Sequence, residues 1–185
     1  MKKEMIITIL VIFATVILVY ALTRSFFLDF AADSPLIAAF IKFFFLASIG
    51  DFVGYKLKTK TWQLPKNILP KAFIWGLIGI VISLMFTIYP AGITVLMDDE
   101  MLPFKGSEFF FAFFVSAIMN LTFAPVMMGF HRITDTFLNH DIGYRSKAVQ
   151  SINWNQFINV TVLKVIPLFW IPAHMITFLL PIKFG

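Results

Sequence analysis

Trp170, His174 and Thr177 stand at i, i+4 and i+7, a spacing that puts an indole, an imidazole and a hydroxyl on one face of a helix. Such a face can hydrogen-bond to a neighbouring helix. It can also line a narrow wet path in which the imidazole takes up and releases protons near neutral pH. Helical steps back through Leu163 bring Asn159, Asn155 and Ser151 close to the same side, so a polar seam is predicted along the last part of the chain. Asn120, five residues before Pro125, is a further amide that either joins two helices or belongs to the seam. Lys42 is the costliest residue to place. It lies about two turns into an apolar segment, where a central lysine costs about 2.5–3.5 kcal/mol, so it either snorkels toward an interface or lines an internal cavity. Asp51 is nine residues further on and half a turn round the helix, so the two cannot pair within it.

Other chemistry is thinly represented. His131 and Asp135 are one helical turn apart and His140-Asp141 follow, which could form a metal site, but the ordinary reading is the polar surface of a connection. The chain has no cysteine, which excludes disulfides, thiolate metal sites and a cysteine nucleophile. No Ser-His-Asp order, glycine-rich phosphate loop or close pair of acids can be read. A membrane enzyme using His131, Asp135 and His140 is the weakest of the functional readings, and no cofactor is expected.

The elements that must carry these residues are set by composition. Apolar residues make up 59% of the 185 residues and charged residues 14%, with a mean hydropathy of +0.88. A water-soluble core of this size could not hide so much apolar surface. The apolar stretches are uniform over about twenty residues, which excludes the alternation of barrel strands and leaves helices. The predicted fold is an all-α, polytopic integral membrane helix bundle in a single domain. It has five transmembrane helices, at about 5–23, 35–55, 72–97, 109–130 and 161–181, and an interfacial segment at about 148–160 around Trp154, Asn153, Asn155, Gln156 and Asn159. The first stretch reads as a retained anchor and not a cleaved signal peptide, because it is long and no small-residue cleavage site precedes Arg24. Pro35 suits the first turn of a helix. Pro65 and Pro70 argue against helix through the second connection, and Pro90 predicts a kink or an early exit from the third span. Pro167 and Pro172 should bend the last span. Gly50-x-x-x-Gly54 and Ala112-x-x-x-Ser116 offer small faces for close helix approach.

Lysines and arginines between the spans alternate in number. Lys56, Lys58, Lys60, Lys66 and Lys71 crowd the second connection, whereas the third has only Lys105. By side, ten fall with the N-terminus and three opposite, which predicts a cytoplasmic N-terminus and an external C-terminus. Trp62 among the lysines reads as an interfacial anchor, and Lys164 as a snorkelling residue. The net charge of +5 is spent on these span ends, so nucleic acid is not an expected partner.

Three stretches carry a family resemblance: Ser48-Ile49-Gly50-Asp51, Asn120-Leu121-Thr122-Phe123-Ala124-Pro125, and Phe169 through Phe178 with Trp170, Pro172, His174 and Thr177. In order and approximate spacing they resemble the Mpv-seventeen and peroxisomal-membrane-protein-twenty-two family of small integral membrane proteins. Asn120 and Met119 stand where the family has Gln and Asp, and His174 and Thr177 where it has Gln and Asn. The resemblance implies a small membrane protein that forms a pore or alters permeability, without defining a substrate. Lysine outnumbers arginine 12 to 3, as suits an AT-rich genome, and a bacterial inner membrane is expected before a mitochondrial or peroxisomal one.

The expected function is therefore that of a non-enzymatic integral membrane protein acting as a channel or permeability factor for small solutes. Its polar path would run along the last helix through Asn155, Asn159, Trp170, His174 and Thr177, with Asn120 and Lys42 as further polar positions. The alternative is a structural or assembly subunit whose polar residues only join helices. The expected partners are the lipid bilayer, a small solute and a second copy of the chain.

Overall fold

A computed structural model describes residues 24–140 and 145–180, with the side chains of residues 145 and 146 excepted. The described residues are helical, with no strand among them, and fall into two compact units that divide between Ser83 and Leu84. The expected first span, 5–23, lies outside the described residues. Four described helical stretches are long and apolar enough to cross a membrane: Pro35–Thr59, Ile68–Asp98, Glu108–Asn139 and Trp154–Leu179.

In the first unit, α1 (residues 24–33) occupies what reads as a connection in the sequence. It stops at Ser34, whose φ of −140° and ψ of 63° lie outside the helical region that a following proline disfavours. Pro35 then opens α2 (Pro35–Thr59) at a position where its missing N–H leaves nothing unsatisfied. Lys60 ends α2 in the left-handed region, φ 61°, with its N–H on the Lys56 carbonyl, and Lys56 and Lys58 supply positive charge to the last turn.

The next helix, α3 (Ile68–Asp98), starts four residues before the expected 72 and takes Pro70 into its first turn, where a proline is tolerated. It also runs through Pro90 without exiting there. Apolar residues on both sides of Pro90 keep the backbone in hydrocarbon, where leaving the helix would strand more polar groups than one proline does. Gly76 and Gly79 let α2 and α3 approach closely. A Cβ on Gly76 would come within 2.5 Å of the Phe40 ring, and one on Gly79 within 2.6 Å of the Phe43 Cβ.

The second unit begins within α3. At its C-terminal end the Leu102 N–H bonds the Leu96 carbonyl across Glu100, which has a φ of 60°. The Lys105 ammonium donates to the Asp98 carbonyl at 2.7 Å, placing a cation at the negative end of the helix. Ser107 caps α4 (Glu108–Thr122), its hydroxyl accepting from Phe110 N–H at 3.5 Å, with Glu108 in the first turn. The chain breaks at Phe123 and resumes as α5 (Ala124–Asn139), since Pro125 has no N–H to return to the preceding turn. Ile93, Met97 and Val115 form a core that joins the end of α3 to α4, flanked by Tyr89, Phe114 and Phe178.

After α6 (Arg145–Ala148) and a 3₁₀ turn at Val149–Ser151, Asn153 caps a continuous 26-residue helical stretch by accepting from Gln156 N–H at 2.9 Å. This stretch starts at Trp154, before the expected 161, because Asn153 supplies a side-chain cap. It comprises α7 (Trp154–Gln156), a π-wound segment Phe157–Trp170 and α8 (Ile171–Leu179). The π segment closes each turn with about one residue more than an α-helix uses, an uncommon winding beyond single turns. Its last turn closes with the Ile171 N–H on the Ile166 carbonyl, and ordinary α winding resumes at Ile171.

Candidate functional site

The polar group of the second unit lies between α4 and α8, which pack extensively against each other. Ser116 and Asn120 are one turn apart on α4, and both are buried. The Ser116 hydroxyl donates to the Ile171 carbonyl at 2.6 Å. The Asn120 Nδ2 donates to the Ser116 carbonyl at 2.9 Å. It also lies 2.9 Å from Nδ1 of His174, while Oδ1 of the same amide lies 3.1 Å from that nitrogen. The ring nitrogen is thus met in either tautomer, as acceptor from Nδ2 or as donor to Oδ1.

Two aromatic residues complete the setting of His174. Trp170, one turn earlier, stacks on the imidazole with centroids 5.4 Å apart. Phe86 from α3 meets it edge-on at 5.4 Å and also touches Phe178 at 5.3 Å. Nearby, the Tyr89 and Thr122 hydroxyls bond at 2.7 Å, a second polar link between α3 and α4. These bonds hold the amide and the imidazole in place without a carboxylate partner. The imidazole bonds Asn120 and not the Ser116 hydroxyl, whose proton is on a backbone carbonyl, so the group lacks the arrangement that activates a serine nucleophile.

Of the residues expected to form the seam, the structure brings together Asn120, His174 and Trp170. Thr177 bonds within its own helix, donating to the Ala173 carbonyl at 3.1 Å. Asn155 and Asn159 are exposed and bond each other, with Asn159 Nδ2 also reaching the Asn155 carbonyl at 3.1 Å. The intervening π winding shifts the register on which the sequence reading through Leu163 relied, and Leu163 itself is exposed. Lys42 belongs to the first unit, where it is exposed and its ammonium lies 5.7 Å from the Phe43 ring centre. In α5, Asn139 donates to the Asp135 carboxylate at 3.1 Å, and the His140 Nδ1 lies 2.9 Å from the Thr136 carbonyl. Among the described residues no three His, Cys, Asp or Glu side chains are grouped as a metal site would need. A separate open recess of about 240 Å³ lies between the end of α3 and the start of α4, lined by Thr94, Met97, Asp98, Ser107, Glu108 and Phe111.

Two members of the His174 group are absent from the sequence-based set. Ser116 reads there only as part of a small packing face, although its spacing of four from Asn120 is the signal that both could serve one neighbour. Phe86 carries no signal of its own, because one phenylalanine among 24 cannot be singled out from pattern. Compared with protein-family models, curated proteins and solved structures, the chain matches none. Fold and site together define a class: an all-α protein with four described apolar helices of membrane-spanning length, the features of an integral membrane protein, and a partly buried amide–imidazole bond between two of its helical elements.

Proposed function

We propose that this chain is a non-enzymatic integral membrane protein with a structural or assembly role, in which Ser116, Asn120 and His174 fix the pairing of α4 with α8. The carrying observation is that the two buried side chains of the group, Ser116 and Asn120, spend their donors on α8 or on their own turn. A polar group satisfied in this way joins helices; a group lining a conducting path keeps donors and acceptors for solute and water. In this reading five spans thread a bacterial inner membrane with residues 5–23 as the first, the N-terminus cytoplasmic and the C-terminus external. The support is the ten-to-three division of basic residues between the two sides.

A second reading, a narrow path for small solutes along the last helix, draws on the exposed amides of Asn155 and Asn159 and on the resemblance to the Mpv-seventeen and peroxisomal-membrane-protein-twenty-two family. One experiment separates the two. His174→Leu in purified, reconstituted protein is expected to lower the thermal midpoint or alter complex size while leaving any solute flux at the wild-type level. Flux that is present in the wild type and changed by His174→Leu, with the thermal midpoint retained, would favour the path.

A further inference from the structure

The last turn of α2 and the connector from it to α3 carry Lys58, Lys60 and Lys66 with exposed side chains. No Asp or Glu occurs between Asp51 and Asp98, so nothing along this part of the chain neutralises them. Set among the lysines are three exposed apolar residues: Trp62 at 56% of its full surface, Leu64 at 70% and Leu69 at 69%.

The connector is held in shape. The Lys56 ammonium lies over the Trp62 ring, 4.3 Å from its centre, within the range of a cation–π contact. It also donates to the Lys60 carbonyl at 3.3 Å. The indole in turn rests on Phe52 of α2, with ring centres 5.7 Å apart. The Thr59 and Thr61 hydroxyls bond at 2.9 Å across the left-handed turn at Lys60. Trp62 is therefore anchored at the mouth of α2 while more than half of it stays uncovered.

In plain water this arrangement leaves an indole and two leucines hydrated, and Lys58, Lys60 and Lys66 without counter-charge. A phospholipid headgroup layer accommodates both: apolar side chains sit below the phosphates, and ammonium groups on flexible stems lie level with them. We infer that the α2–α3 connector is a binding surface for anionic phospholipid. Lys58, Lys60 and Lys66 meet the lipid phosphates, and Trp62, Leu64 and Leu69 insert beneath. Acidic protein would satisfy the charges but not the apolar residues, and the connector joins the ends of two helices of membrane-spanning length. The inference goes beyond an orientation signal, because it assigns the lysines a bound lipid in the finished protein. It is independent of whether the chain joins an assembly or conducts a solute.

The test uses the full chain in phosphatidylcholine vesicles holding a minor fraction of spin-labelled phosphatidylglycerol or spin-labelled phosphatidylcholine. The motionally restricted fraction of each label gives its relative affinity for the protein. Wild type is expected to prefer phosphatidylglycerol, and added salt to weaken that preference. A lysine near an anionic lipid surface gains about fivefold, so three have a combined ceiling of about a hundredfold, and Lys58→Gln/Lys60→Gln/Lys66→Gln is expected to abolish the preference. The corresponding triple Arg variant keeps the charge and should keep the preference. Equal association of the two labels with wild type, or an undiminished preference in a folded Gln variant, would overturn the inference. Displacement of the labelled lipid by poly-glutamate at matched ionic strength would do so too, pointing instead to an acidic protein partner.

Discussion

At the scale of single residues, Asn120 is the centre of the second unit. Its amide binds its own helix through the Ser116 carbonyl and the opposing helix through His174. Interhelical hydrogen bonds in membrane proteins contribute on average about 0.6 kcal/mol, and at most about 1.7. We therefore expect a double-mutant cycle of Asn120→Leu and His174→Leu, read by unfolding in lipid or detergent, to give a coupling of about 0.6–1.7 kcal/mol. A coupling near zero would mean that the two side chains touch without holding the helices together. The sequence singled out Asn120, Trp170 and His174 as types suited to this environment. That Trp170 and His174 share a face was legible; the contact of Asn120 with His174 was not, since it joins positions 54 residues apart and depends on how α4 and α8 pack. Ser116 was passed over because serine every fourth residue from a small side chain reads equally well as a packing face.

At the scale of elements, the close approach of α2 and α3 rests on glycines that the sequence patterns did not stress. The Gly50-x-x-x-Gly54 pair has nothing within 4 Å of either position, whereas Gly76 and Gly79 sit against phenylalanines of α2. Gly79→Ala is thus expected to destabilise by about 1–3 kcal/mol, since the Phe43 Cβ it meets is fixed to the backbone. Gly76→Ala meets only the far edge of the Phe40 ring and should be milder. Gly50→Ala, in open space, should be neutral or gain up to about 1 kcal/mol from lower chain entropy. Thermal unfolding of the three variants checks the order. Helix type was legible throughout, because uniform apolar runs allow little else in lipid. Helix ends were less so: Pro70 read against helix and Pro90 as a kink or an early exit, yet Pro70 falls in the first turn of α3 and the helix does not exit at Pro90. The π winding of Phe157–Trp170 was not legible either, for the same residues satisfy an α pattern.

At the scale of the whole molecule, the proposed threading makes a claim that α3 alone can test, since it separates Lys60 from Lys105. The chain contains no cysteine, so Lys60→Cys and Lys105→Cys each introduce a single reporter. A membrane-impermeant thiol reagent applied to intact cells is expected to label position 105 and spare position 60. Labelling of both from the same face would contradict a single crossing by α3. The proposed threading rests on the basic connector at one end of α3 and the single Lys105 beyond the other, because basic residues at span ends act through the translocation machinery and not through tertiary packing.

The two-ended amide beside the imidazole has one more effect. A carboxylate can only accept a hydrogen bond from a histidine and an ammonium can only donate one, so a latch built from either suits one tautomer of the neutral ring and not the other. A carboxamide presents a giver and a taker side by side. The clasp between α4 and α8 therefore holds whichever ring nitrogen of the neutral imidazole carries the hydrogen, and the side chains need no rearrangement when it changes place.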